Sequence, residues 1–511
     1  MRKTGLSTRE IIVYNSTFDK KIFREIHFRA KRTRTIMKYD ALPFGLAIIF
    51  AAILSFFSFA AAAAADSLGI LIDIVHCHDY SDIGLQSENY EYHHISGSRF
   101  GVEYLKSRGI PCDRFTEGRF SDELLAKYKV LAINLVSADC PPFLVSEIQA
   151  IVRFVERGGG LFLVTDHSNC YSHAHILEPL LTELEIKTKK STVCDRFDNV
   201  LGNGPGWIWV SRFEPHPITR DLRFLGMQTG GEVDSRFAVA WTSDDAWPDK
   251  LICPPYMENV GQGFYGNFIQ DPDEPTGRLG VILAKEVGKG RIVIVGDQNM
   301  LSDTFLNYGD NYKLWLNSFS WLLDREEIAD SEAYHNWKPD WLAGSLWMVE
   351  DFDRREIGSD NEHGLYNAWV LLNRHYWSFA DDRRFSKQTT ADIAVLVDGY
   401  TVHSDEIVTE LMEHLRLGKN ILSLHTNSDV LEDENGTIFR ILDALKVDNP
   451  AVEKENDFAV IKIPNAGSIT LFGGFWLFSN LRIPTPTVAP KEEEPGTIQT
   501  LLDAIEFAKK Q

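Results

Sequence analysis

Gly158-Gly-Gly-Leu-Phe-Leu-Val-Thr-Asp-His-Ser-Asn169 is the stretch that decides the fold of this chain. Three glycines stop a helix, four apolar residues read as a strand buried on both faces, and a polar exit turn follows. Upstream, Leu131-Ala-Ile-Asn-Leu135 reads as the preceding strand, and Cys140-Pro-Pro-Phe143 opens a helix that runs through Glu156. Val130–Asn169 is therefore a strand-helix-strand unit. A fainter copy occupies Ile393–Asp429, with Ile393-Ala-Val-Leu-Val-Asp398 as strand, Ser404–Leu417 as helix, Gly418 as stop and Ile421-Leu-Ser-Leu424 as the next strand. The closing segments also match, Gly290-Arg-Ile-Val-Ile-Val-Gly-Asp297 against Gly467-Ser-Ile-Thr-Leu-Phe-Gly-Gly474.

Working outward, Gly69–Val75 is a first buried strand, broken only by Asp73, and the spacing after His93 predicts a helix to Arg108. Pro111–Phe115 is a second strand and Ile176–Leu184 a helix; Gly280–Ala284 and Arg291–Val295 form a hairpin-like pair, and Tyr312–Leu323 is a closing helix. Between Thr192 and Pro275 the pattern weakens into an irregular excursion with short antiparallel strands such as Phe237–Thr242. The second half repeats the plan with Leu346–Val349, Asn361–Arg374 and Ile469–Phe472, and its excursion shrinks to 445–464. Alternating strands and helices with short links imply a parallel sheet covered on both faces. The expected organisation is a basic segment at 1–40, a signal peptide or anchor at 41–65, and a first domain at 68–324. A linker at 325–340, a second, degenerate domain at 341–481, and an extended tail with a short helix at 482–511 complete it.

The chain has 511 residues and a net charge of −21. Residues 1–40 hold 11 Lys/Arg against 4 Asp/Glu, a net of +7, so the remainder carries −28. Such an acidic body repels polyanions, which argues against nucleic acid as a partner. Residues 41–65 contain no charge and end in a run of alanines, the pattern of a secretory signal with a small-residue cleavage site or of an uncleaved membrane anchor. Met37 would be a more natural start for a signal than Met1. Either way the acidic bulk is expected outside the cytoplasm: periplasmic, secreted or membrane-anchored. Export permits disulfides. Of the six cysteines, Cys170 and Cys194 flank one predicted excursion and are the expected pair; the absence of any C-x-x-C spacing excludes a zinc ribbon.

In an open parallel sheet, ligands sit outside the carboxyl ends of the strands. Four exits of the first copy carry polar residues: His76-Cys-His-Asp79, Ser137-Ala-Asp139, Thr165–Asn169 and Gly296–Asn299. The candidate ligand-binding residues are thus His76, His78, Asp79, Asp166, His167, Asn169, Asp297 and Asn299. Imidazole and carboxylate suit a divalent metal. His76, Asp166, His167 and Asp297 are the candidate ligands, although no spacing matches a compact site. The alternative is that the acids fix loops or cap helices. No other cofactor is expected. Trp207, Trp209, Trp241 and Trp247 could stack on sugar rings or simply pack the excursion.

Gly158–His167, His216-Pro-Ile-Thr219, Gly288–Asp297, Asp310-Asn311 and Trp321-Leu-Leu323 resemble the class I glutamine-amidotransferase-like domains of the DUF4350 type. These are related to the domain shared by gliding-motility transport proteins and an intraflagellar-transport protein. The resemblance covers Leu68–Leu323 and reaches Trp341–Leu477 only through the repeat. It implies two tandem flavodoxin-like, doubly wound parallel sheets of the α/β class. The family's glutaminases need a nucleophilic cysteine on the turn after Leu161–Val164 and a later His-x-Glu pair. Here the turn reads Thr165-Asp166-His167, and Gly296-Asp-Gln-Asn299 stands where the pair would be. Thioester chemistry therefore lacks its nucleophile and base. In the second copy, His425-Thr-Asn427 and Gly473-Gly474 replace the acidic exits. The expected function is a non-catalytic, exported or membrane-anchored protein that binds an envelope protein or a glycan. The alternatives are a metal-dependent hydrolase on the His/Asp edge and a structural subunit of an envelope complex.

Overall fold

The computed structural model describes residues 68–77, 97–199, 205–250, 266–303, 305–349, 368, 372, 377–381, 391–396, 402–424, 433–447, 450–455, 458–473 and 496–511. His78, Asp79, Cys253, the segments 1–40 and 41–65, the His425–Asn427 exit and most of Asn361–Arg374 lie outside these residues. Among the described residues no helix is long and apolar enough to cross a membrane.

The first half runs β1 (Leu68–Asp73), α1 (Arg99–Ser107), β2 (Cys112–Phe115), α2 (Asp122–Leu125), β3 (Tyr128–Ile133), α3 (Val145–Glu156), β4 (Gly160–Val164) and α4 (His173–Glu183). The excursion follows as β5 (Ser191–Asp195), β6 (Trp207–Val210), β7 (Arg212–Phe213), β8 (Leu225–Gln228), β9 (Ala238–Trp241) and β10 (Ala246–Lys250). The domain closes with β11 (Gly280–Val287), β12 (Gly290–Val295) and α5 (Asn311–Leu323). The sheet order is β2-β1-β3-β4-β12-β11-β9-β7. The first five strands are parallel, and β11 turns the edge antiparallel. Counting only the parallel strands, the order is 2-1-3-4-5, the flavodoxin-like doubly wound arrangement.

Alternation along each strand builds two apolar layers. Ile70, Ile72, Val130, Phe162, Val164, Val293 and Val295 face α1 and α5 through Phe100, Tyr104, Trp315 and Phe319. Leu71, Leu131, Ile133, Leu161, Leu163 and Ile294 face α3 and α4 through Ile148, Ile151, Val155, Leu177 and Leu180. The α3 start differs from the sequence expectation. Pro141-Pro142 keep the chain extended, and α3 begins at Val145, where the Glu147 side chain accepts the Leu144 N–H at 2.9 Å.

Arg325–Asp340 is more than a linker. It carries α6 (Ser331–Asn336), and Ile328 and Tyr334 are buried in the first domain's core. Tyr334 stacks on Tyr312, with ring centroids 4.9 Å apart. Hydrophobic burial binds this segment to the first sheet.

The second domain comprises β13 (Gly344–Met348), β14 (Trp377–Asp381), β15 (Ile393–Leu396), α7 (Asp405–Arg416), β16 (Asn420–Leu424), α8 (Thr437–Ala444), β17 (Val452–Glu455), β18 (Phe458–Lys462), β19 (Ser468–Phe472) and α9 (Gly496–Lys510). Its sheet order is β14-β13-β15-β16-β19-β18-β17, again 2-1-3-4-5 over the parallel strands with an antiparallel extension. Ser404 starts α7 by accepting the Ile407 N–H. The C-terminal segment is not a tail, because Leu501, Ala504, Ile505 and Ala508 of α9 are buried against Leu346, Ile393 and Leu422. The same cluster takes in Phe224, Phe305 and Tyr308 of the first domain, so the two halves share apolar contact.

The expected Cys170–Cys194 disulfide is absent: both thiols are free. Cys170 packs on Leu135 and Tyr171, whereas Cys194 sits within β5 and points to Asp249. Cys77, Cys112 and Cys140 are free as well.

Candidate functional site

Because β1, β3, β4 and β12 are parallel neighbours, their carboxyl ends meet along one edge. That edge divides into two clusters.

The first is built on β1. Asp73 is fully buried, and its Oδ1 accepts the N–H groups of Val75 at 3.0 Å and His76 at 3.3 Å. His76 Nδ1 lies 3.0 Å from Asp73 Oδ2, and its Nε2 stands 3.4 Å from Glu147 Oε1. The imidazole is stacked on Phe143 at 4.1 Å and flanked by Phe120. Glu147, also fully buried, holds the Phe120 and Leu144 N–H groups and pairs with Arg119 at 3.1 Å. This Asp73–His76–Glu147–Arg119 chain ties β1 to α3 and encloses His76 between two carboxylates.

The second cluster is built on the turn between β4 and α4. Asp166, His167, Ser168, Asn169 and Cys170 are all buried. Asp166 Oδ1 accepts the His167 N–H at 2.7 Å. Asp297, at the end of β12, accepts N–H groups from Gln228 at 2.5 Å and Asn299 at 2.8 Å. Burial pushes the carboxyls of Asp166 and Asp297 upward, and the neighbouring Asp297 charge adds to the effect on Asp166. Burial drives His167 down to about 3, assisted by His173, and His173 down to about 4. Both imidazoles are neutral at physiological pH. The Cys170 thiol is pushed up by burial and then by the Asp166 and Asp297 charges. His173 Nδ1 donates to the Cys170 carbonyl at 2.8 Å, and its Nε2 accepts the Asp166 N–H at 3.3 Å.

Three non-glycine residues of this turn have left-handed backbones: Ser168 at φ 50°, Tyr171 at φ 52° and Ser172 at φ 62°. Such conformations are uncommon for residues with a Cβ and mark a turn over-determined by its surroundings. The Ser168 hydroxyl bonds Thr192 Oγ1 at 2.9 Å. Asn169 Oδ1 accepts the Ala174 N–H at 3.1 Å at the start of α4, so Asn169 organises the helix entry. Gly231 closes the turn from the far side: its N–H donates to Gly296 O at 2.7 Å, and a Cβ there would stand 2.4 Å from Asp166 O. Only glycine permits that approach.

Asp166 therefore meets both His167 and Asp297, Asn299 joins through its N–H to Asp297, and Asn169 turns instead to the start of α4. His76 does not join them, because both of its ring nitrogens face Asp73 and Glu147. β3 also separates β1 from β4, two interstrand steps or roughly 10 Å. The set of His76, Asp166, His167 and Asp297 is not one ligand sphere. In its place Asp166, His167 and Cys170 present ligand atoms within 4.8 Å of one another. Sequence reading missed Cys170, Ser168, His173 and Gly231. The Asp-His-x-x-Cys spacing was the available signal for Cys170, hidden by its expected disulfide.

Beside β1 and β3 a narrow cleft opens between α1 and α5, lined by Ile72, Asp73, Ser98, Asn134, Leu301 and Trp315 among others. Its walls are mainly apolar, with polar groups at the carboxyl edge. The excursion tryptophans do not line it. Trp247 is buried, Trp207 packs on Phe305, and Trp209 bonds the Tyr308 hydroxyl through its Nε1 at 2.9 Å.

No known family's sequence profile matches the chain, and no curated protein matches it. Solved structures do. The mmIFT52 N-terminal domain is 16% identical, covers 50% of this chain and 97% of its own length, and has a TM-score of 0.35. A cytoplasmic protein from Salmonella typhimurium LT2 is 14% identical over 50% of this chain and 99% of its own, with a TM-score of 0.30. A ThuA-like protein from Bacteroides uniformis is 14% identical over 50% and 93%, with a TM-score of 0.25. The likeness is one of fold alone and extends over about half of this chain.

Proposed function

We propose that this chain is a non-catalytic, exported or membrane-anchored binding protein of the cell envelope, whose site lies at the carboxyl edge of its first sheet. The observation that carries this reading is the cleft between α1 and α5 at the strand exits, where doubly wound sheets take their ligands. The chemistry of the edge supports binding over turnover. Beyond Thr165-Asp166-His167 at the elbow turn stand a buried serine bonded to Thr192 and a buried thiol that burial and the neighbouring acids keep protonated. The apolar lining suits an envelope protein segment or a small molecule with an apolar group better than a glycan. Assignment to the DUF4350 type belongs to the same proposal and rests on the Gly158–His167 and Gly288–Asp297 motifs. The envelope location rests on the basic 1–40 and uncharged 41–65 segments.

The full-length chain screened against envelope proteins, small apolar ligands and glycans is expected to yield a binder. Ala132→Leu, which extends a side chain into the cleft, should weaken that binder roughly tenfold, or about 1.4 kcal/mol. A silent screen, or a binder indifferent to Ala132→Leu, counts against the proposal.

A further inference from the structure

The turn between β4 and α4 collects three different metal-ligating side chains within five residues: a carboxylate, an imidazole and a thiol. Their ligand atoms lie within 4.8 Å of one another, and each residue is at most 6% exposed. Ligands bound at roughly 2.0–2.3 Å around one tetrahedral ion stand roughly 3.5 Å apart, so small side-chain rotations close the sphere. We propose that Asp166, His167 and Cys170 bind one divalent ion of the zinc class, which locks this turn.

Three features of the surroundings favour such an ion. Sulfur, nitrogen and oxygen donors together select a borderline-soft transition metal over calcium or magnesium, which take oxygen alone. Asp297 adds a second buried carboxylate next to Asp166, held in place by the Gln228 and Asn299 N–H groups. A cation relieves the like-charge burden of that pair. Left-handed Ser168 lies between His167 and Cys170 and turns the chain so that Cys170 comes back towards Asp166, and bound metal would hold that path. His167 binds through a neutral ring nitrogen. The Cys170 thiol releases its proton to solvent as the metal–sulfur bond forms, so uptake is accompanied by acid release. The role is structural and distinct from the cleft beside Ile72 and Trp315, so its failure would leave the binding proposal standing.

The test uses the full-length chain, stripped with a chelator and titrated with Co²⁺. One ion per chain is expected, with a sulfur-to-cobalt charge-transfer band in the near ultraviolet, displacement by Zn²⁺ and a raised melting temperature. Cys170→Ser should abolish the band and weaken binding roughly tenfold or more, whereas Cys140→Ser should preserve both. Absence of stoichiometric Co²⁺ binding in the unmutated chain overturns the inference, as does a band that survives Cys170→Ser. Should Cys170→Ser fail to fold by circular dichroism, His167→Ala takes its place, and unchanged Co²⁺ affinity there is equally fatal.

Discussion

The two sheets share one order of parallel strands and differ, among the described residues, in the buried polar groups around those strands. In the first, Asp73, His76, Asp166, His167 and Asp297 gather where the parallel strands finish. In the second, Asn420 and Ser468 open β16 and β19, and the Asn420 side chain accepts the Ser468 N–H at 2.9 Å and donates to Ala508 O at 2.8 Å. His414 at the end of α7 completes that group through its Nε2, 3.1 Å from Asn420 O. A polar cluster at the amino end ties strand starts to α7 and α9, which is scaffolding. A polar cluster at the carboxyl end sits where open sheets receive ligands. On the carboxyl side of the second sheet the described residues hold a buried pair without a carboxylate, His403 with Thr437 at 2.7 Å, so the contrast with the first sheet is one of buried carboxylates at the strand exits.

Four measurements can break or sharpen this contrast. Glu147→Ala removes the acceptor for the buried Phe120 N–H and the part-buried Leu144 N–H, the partner of Arg119 and the carboxylate beside His76, and is expected to destabilise by about 3–5 kcal/mol in urea unfolding. A loss below about 1 kcal/mol would show that the first edge is not the cooperative network described.

The next effect is pH-dependent and belongs to the second domain. Burial, aided by the Lys419 charge, depresses His414 to about 4 from its usual value near 6.5. Below pH ~6.5 the unfolded chain takes up a proton that the folded chain refuses. Stability is therefore complete above ~6.5 and declines as pH falls towards 4, by up to about 3 kcal/mol for this residue. His414→Gln should flatten that part of the stability profile; an unaltered profile refutes the assignment.

Asn420→Ala unties β16 from β19 and α9, with an expected cost of about 2 kcal/mol. Unchanged denaturation midpoints would remove the scaffolding role. The smallest effect is Ser168→Ala, about 1 kcal/mol, since it deletes a single hydroxyl pair with Thr192. A loss several times larger would assign Ser168 a part in the turn that its hydroxyl bond to Thr192 does not explain.

The legible part of the fold is the part governed by local pattern. Leu131–Leu135, Leu161–Val164, Arg291–Val295 and Ile421–Leu424 announce themselves as apolar runs punctuated by glycine, and each lies on a parallel strand of the sheet. What escaped reading depends on distant partners. Arg325–Asp340 looked like a linker because its buried residues, Ile328 and Tyr334, are spaced too sparsely to signal burial. The Gly496–Lys510 helix was visible, but its docking on β16 was not. Cys170 seemed a disulfide partner because sequence distance to Cys194 carries no information on side-chain direction. His76 and Asp166 looked equivalent at neighbouring exits, yet α3 claims one through Glu147 and the β4 turn claims the other.

From the sequence alone came the doubled α/β plan and the two acidic exits that the second copy lacks. These follow from residue type and short-range periodicity, which the chain carries without help. Tertiary structure alone decided that Asp166 meets Asp297, His167 and Cys170, that Gly231 presses on Asp166 O, and that His76 is enclosed by Asp73 and Glu147. Parallel strands bring their ends to one edge, but which side chains touch there depends on crossing helices and on left-handed turn residues that no local pattern announces.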